Sequence, residues 1–154
     1  MNPHSLSKLV SLMPQIVAWA EEQSDEIARK GSPLSKKGIE IARAMGVTRP
    51  ELVRVAFVDK IDPPEDGELS AAASETGLIS ESTAGMTLGH SIVIRNDKRE
   101  DVGLLSHELR HVHQYEQAGS IKAFLETYVK QVAVHGYPDA PYEVDARKYQ
   151  LSGT

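Results

Sequence analysis

The chain has 154 residues, of which 40% are apolar and 25% charged, a balance that fits one globular core and neither a disordered nor a membrane protein. With 17 Lys and Arg against 22 Asp and Glu the net charge is −5, so the surface as a whole does not attract nucleic acid or anionic lipid. Six histidines and no cysteine exclude disulfides, thiolate nucleophiles and Cys-ligated zinc, and leave any metal or acid–base chemistry to histidine and carboxylate.

In chain order, Leu6, Leu9, Val10, Met13, Ile16, Val17 and Ala20 fall at spacings of three and four. That spacing predicts an amphipathic helix from about Ser5 to Lys30, kinked or restarted at Pro14 and broken at Gly31-Ser32-Pro33. The same stretch imitates a secretory signal poorly, because Pro14 and Gln15 interrupt the apolar run. No run reaches the roughly 18 apolar residues of a membrane span, so a cytoplasmic protein with no membrane partner is expected. A second helix runs from Ser35 to Ala44 and stops at Gly46. Leu52 to Val58 is rich in β-branched residues and reads as a strand, ended by Asp62-Pro63-Pro64-Glu65-Asp66-Gly67. A short helical or irregular piece covers Glu68 to Glu75, and a second strand lies within Gly85 to Arg95. Asn96-Asp97 then turns the chain into a long helix, Glu100 to Gln117, closed by Gly119. Another helix spans Ile121 to Val134, and a last one follows Pro141. The class is α+β: a small sheet packed on the long helix, with a helical segment over 1–32 and a domain over 33–154 forming one compact unit.

The long helix carries His107-Glu108-Leu109-Arg110-His111, an H-E-x-x-H pattern. A spacing of four sets both imidazoles one turn apart on one face, where they can share a tetrahedral zinc ion, with Glu108 beside it as a base. Val102, Leu104, Leu105 and Leu109 supply apolar packing around the motif. Gln114 and Gln117 stand where a metzincin needs Gly and His, which excludes that class. The third ligand has to come from His113, Glu126, His135, Asp139, Glu143 or Asp145. His113 sits about 200° around the helix from His111 and points away. His135 falls where a helix C-terminus often takes a histidine cap. Glu143 is the strongest candidate, because a helix returning antiparallel to the motif would deliver its carboxylate, and Ala146 one turn on permits close packing.

HELRHVHQYEQAGS, the preceding GMTLGHSIVIRN, the following FLETYV and the later APYEVDAR together resemble a family of small bacterial HExxH proteins, similar in layout to the gluzincin, thermolysin-like metallopeptidases. The resemblance extends from about Pro33 to Arg147 and implies a zincin-like domain. It also implies that His107, His111 and Glu143 bind zinc and that Glu108 is the general base. Many gluzincins place an Asp after the Glu-containing pattern to support a zinc-bound histidine; Arg147 stands there in this chain, so that support has to come from another residue.

The function expected is therefore zinc-dependent hydrolysis of peptide bonds in a peptide or protein substrate, with zinc-bound water activated by Glu108. Gly89 to Arg95 is the candidate strand for holding an extended substrate, and Tyr128, Tyr137, Tyr142, His135 and Arg110 are candidate oxyanion donors. The alternative is a regulatory or non-catalytic zinc-binding module. Ser35 to Val47 followed by Pro50-Glu51-Leu52 faintly resembles a helix-turn-helix, with Lys36, Lys37, Arg43, Arg49 and Arg54 available to phosphates. The acidic whole argues against nucleic acid as a partner.

Overall fold

The structure, a computed structural model, describes residues 3–76, 79 and 83–152. The apolar repeat at the start forms two helices, α1 (Pro3–Ser11) and α2 (Met13–Lys30). The break falls at Leu12, and Pro14 lies in the first turn of α2, where its missing N–H removes no helical hydrogen bond. A two-residue strand, β1 (Ser32–Pro33), leads to α3 (Lys36–Ala44). Ser35 caps α3, its hydroxyl accepting the Gly38 N–H at 3.1 Å. After α3 the chain makes a 3-10 turn at Pro50–Leu52 and enters β2 (Arg54–Val58), so the second helix of a helix-turn-helix is not formed there.

The rest of the chain supplies α4 (Gly67–Thr76), β3 (Gly85–Leu88), β4 (Ser91–Arg95), α5 (Val102–Ala118), α6 (Ile121–His135) and α7 (Pro141–Tyr149). The fold is α+β, with seven helices and a four-stranded mixed sheet among the described residues. The stretch from Gly85 to Arg95, expected to hold one strand, is a hairpin. Gly89, at φ +68, takes the first position of a two-residue turn that an L side chain would strain.

The sheet order is β1-β2-β4-β3, with β2 and β4 parallel and the other pairs antiparallel. β4 is therefore central and hydrogen-bonded along both sides. That overturns Gly89 to Arg95 as the substrate strand, because its backbone groups are already paired; β3 is the strand at the sheet's edge. The pleat sends Ile92 and Ile94 to one face, where they pack with Val53, Leu109 and Val112 beneath α3 and α5. Val93 points to the other face and joins Ala20, Ile27, Phe124 and Val132 beneath α2 and α6. The N-terminal helices thus share the core of the sheet. Ser24 of α2 donates to the Leu88 carbonyl at 3.0 Å, and Ser91 returns a bond to the Ser24 carbonyl at 2.8 Å. Among the described residues no helix is long and apolar enough to cross a membrane.

Ile92, wholly buried at the centre of the sheet, reports on this packing. Ile92→Ala is expected to lower the free energy of unfolding by about 2–5 kcal/mol, measured by denaturant titration.

Candidate metal centre

Helix α5 is set by its ends: Asp101 accepts the Leu104 N–H at 2.9 Å, and Gly119 closes it in the left-handed conformation. Its motif residues lie one turn apart, with the imidazole rings of His107 and His111 edge to face at 4.9 Å between centroids. Pro141 opens α7, which packs along α5, and Glu143 falls in its first turn. Ala146, wholly buried one turn further on, allows the close approach.

These two helices bring three side chains to one point. His107 Nε2 lies 3.1 Å from Glu143 Oε1, His111 Nε2 lies 3.3 Å from Glu143 Oε2, and the two Nε2 atoms are 3.2 Å apart. All three groups are largely shielded, the side-chain exposures being 14% for His107, 8% for His111 and 5% for Glu143. Two imidazole lone pairs this close, facing a carboxylate, repel unless a proton or a metal ion lies among them. The three residues form a group that can hold a metal ion, since one ligand atom from each lies within 4.8 Å of the others. Glu108 belongs to the same neighbourhood: it is buried, lines the cavity that His107, His111 and Glu143 line, and accepts a 2.8 Å bond on Oε1 from the Thr87 hydroxyl.

Protonation follows from this crowding. Burial opposes a charge on His111, but the hydrogen bond and charge of Glu143, with Glu108 adding to them, outweigh it and push the imidazole up to about 9. Burial likewise opposes ionisation of Glu143, yet the bonds to His107 and His111 hold it well below the usual carboxylate range. The phenol of Tyr128 is raised by burial and by the Glu143 charge, so it remains a donor, and it gives a 2.7 Å bond to Glu143 Oε2.

The other ligand candidates go elsewhere. His113 bonds the Gly46 carbonyl at 2.9 Å, and Asp145 takes a two-pronged bond from Arg110 at 2.8 and 3.2 Å. Glu126, His135 and Asp139 are exposed. Of the candidate oxyanion donors, Arg110 is occupied by Asp145 and the Met45 carbonyl, Tyr128 by Glu143, and His135 lies at the exposed end of α6. Tyr142 stacks on Phe124, while Tyr137 lines the cavity beside the cluster.

Sequence reasoning missed the residues that support the imidazoles. His111 Nδ1 lies 2.7 Å from Gln114 Oε1, and the Gln114 amide donates in turn to the Tyr142 carbonyl at 2.9 Å and to Asp145 at 2.8 Å. His107 Nδ1 lies 2.9 Å from Gln150 Oε1. These carboxamides stand where the Asp of many gluzincins would act. Gln114 was detectable in principle, being three residues past His111 on the same helix face; Gln150 and Thr87 carry no sequence signal.

Comparison with known families finds one stretch of similarity: the model of the eCIS core domain matches residues 67–119. That stretch runs from α4 through β3, β4 and α5, and so includes His107, Glu108 and His111 but not Glu143. No curated protein and no solved structure matches the chain.

The His111–Glu143 pair makes the metal-free protein pH-sensitive. His111, raised from 6.5 to about 9, gives stability that is complete below 6.5 and is lost as pH rises through about 9. Glu143, lowered from 4.5, gives stability that is complete above 4.5 and is lost in stronger acid. The thermal midpoint of metal-free protein is expected to fall between pH 6.5 and 9, and Glu143→Gln to flatten that fall, as calorimetry across this interval would show.

Proposed function

We propose that the protein is a zinc-dependent metallopeptidase whose ion is held by His107, His111 and Glu143 and whose general base is Glu108. The observation that carries this reading is the ligand spacing. Bonds of about 2.0–2.1 Å at tetrahedral angles put ligand atoms about 3.3–3.4 Å apart. The three donors lie 3.1–3.3 Å apart without rearrangement. Two neutral imidazoles and one carboxylate are the zinc set of an open hydrolytic site.

When bound, zinc would polarise a carbonyl oxygen and make water acidic enough to react near neutral pH. The protein's own residues supply the rest. Glu108, fixed by Thr87, takes a proton from the attacking water and passes it to the departing amine. Tyr137 is the donor we assign to the developing oxyanion. It lines the cavity beside Glu143, and burial, then the charges of Glu143 and Glu108, keep its phenol protonated.

The extended substrate would lie along β3. Arg95 N–H bonds the Ala84 carbonyl at 2.8 Å, and antiparallel alternation then turns the backbone groups of Gly85 and Thr87 away from β4, toward the sheet's edge. Gly85 is close to the base, since a Cβ there would come within 3.3 Å of the Glu108 carboxylate carbon. A peptide paired on this edge passes the metal cluster.

Glu108→Gln is expected to bind one zinc per chain and to cleave an unstructured protein substrate about 100- to 10,000-fold more slowly. Zinc content and peptide release measured on the same sample decide the matter; full-rate cleavage by this variant would sink the mechanism. Tyr137→Phe should keep its zinc and lose roughly 100-fold in kcat, with KM little changed.

A further inference from the structure

His107 and His111 do not obtain their support in the same way. The partner of His111, Gln114, rides on the same helix and is placed as soon as α5 forms. The corresponding position for His107 is Arg110, whose guanidinium is taken by Asp145 and the Met45 carbonyl. His107 is also the most exposed of the three ligands, at 14%. Its Nδ1 is met instead by a residue 43 positions away, Gln150, which lies just beyond α7.

Three contacts seat that segment on α5. The ring of Tyr149 lies under the Arg110 guanidinium, 3.7 Å from its centroid. The Leu151 N–H donates to Ser106 Oγ at 2.9 Å, while the buried Ser106 hydroxyl donates to the Gly103 carbonyl at 2.8 Å. Gly103 leaves room for the backbone: a Cβ there would stand 3.0 Å from the Leu151 oxygen and 3.4 Å from the Gln150 amide nitrogen.

We infer that residues Tyr149 to Leu151 form a positioning strap for the metal centre, in which the Gln150 carboxamide oxygen fixes the ring plane of His107 and its Nδ1–H tautomer. With the proton on Nδ1, the Nε2 lone pair is presented toward Glu143 and His111. The inference rests on the metal-binding half of the proposed function and not on peptide hydrolysis. It makes Gln150 a positioning residue, and it makes Gly103, which touches no ligand, a determinant of metal affinity.

The test is zinc affinity of the full chain by competition with a chromophoric chelator, together with the visible spectrum of the cobalt(II)-substituted protein. Gln150→Ala is expected to weaken zinc binding about 10- to 100-fold and to alter the cobalt bands, while the thermal midpoint of metal-free protein stays within a degree or so. Gln150→Glu, which keeps an acceptor oxygen in place, should restore wild-type affinity, and Gly103→Ala should reproduce the loss by displacing the strap. Wild-type affinity in both Gln150→Ala and Gly103→Ala overturns the strap, as does a Gln150→Glu variant as weak as Gln150→Ala. Failure of the wild-type chain to bind zinc overturns the metal reading itself, and the strap with it.

Discussion

A buried carboxylate facing two imidazole nitrogens is the contact from which the rest of the molecule takes its arrangement. Desolvating Glu143, His107 and His111 costs several kcal/mol per charged group unless a counter-charge is held in good geometry. The fold meets that condition from three directions. Helix α5 presents the imidazoles, α7 brings the carboxylate to them, and α6 fixes its second oxygen through Tyr128. The Arg110–Asp145 pair clamps α5 to α7 one turn away from the cluster, and Gln114 links that clamp back to His111. Charge, hydrogen bonding and helix packing are one network here, so a change in any member is felt at the ligand atoms.

What was legible in the sequence is what helical periodicity encodes. His107, Glu108 and His111 are an i, i+1, i+4 set, and Glu143 follows from a helix start that Pro141 announces and from the small Ala146 behind it. The elements were placed within a few residues for the same reason. Strand neighbours were not legible, because alternation identifies a strand without naming the strand it pairs with. Hence β4 was taken for the accessible strand, although β2 pairs with it in parallel and β3 folds back to cover its other side. The supporting carboxamides were hidden differently. A glutamine has no compositional prominence, and Gln150 reaches His107 only after three helices have been laid down.

The stretch that resembles the eCIS core domain divides the site in an informative way. It holds both histidines, Glu108 and β3, that is, a base and two ligands beside a sheet edge. The third ligand, its tyrosine partner and the strap lie beyond it, on α6, α7 and the segment that follows. The cavity leading from the cluster is closed in by Leu9, Ile16 and Trp19 of the first two helices, which also lie outside the matched stretch. The shared part carries the reactive groups, and the surrounding helices of this chain give them their enclosure.

The edge strand is already partly saturated. The Thr87 carbonyl, one of the groups that β3 turns outward, accepts the Tyr115 hydroxyl at 3.1 Å, and the hairpin end is held by Ser24 on the Leu88 carbonyl. Among the four residues of β3, this leaves the N–H and carbonyl of Gly85 and the N–H of Thr87 for a newcomer. A chain docking there would register over one short hydrogen-bonded ring and not along an extended ladder. Whatever selectivity this edge exerts must therefore come from side chains near the reacting bond, with the main chain setting direction alone.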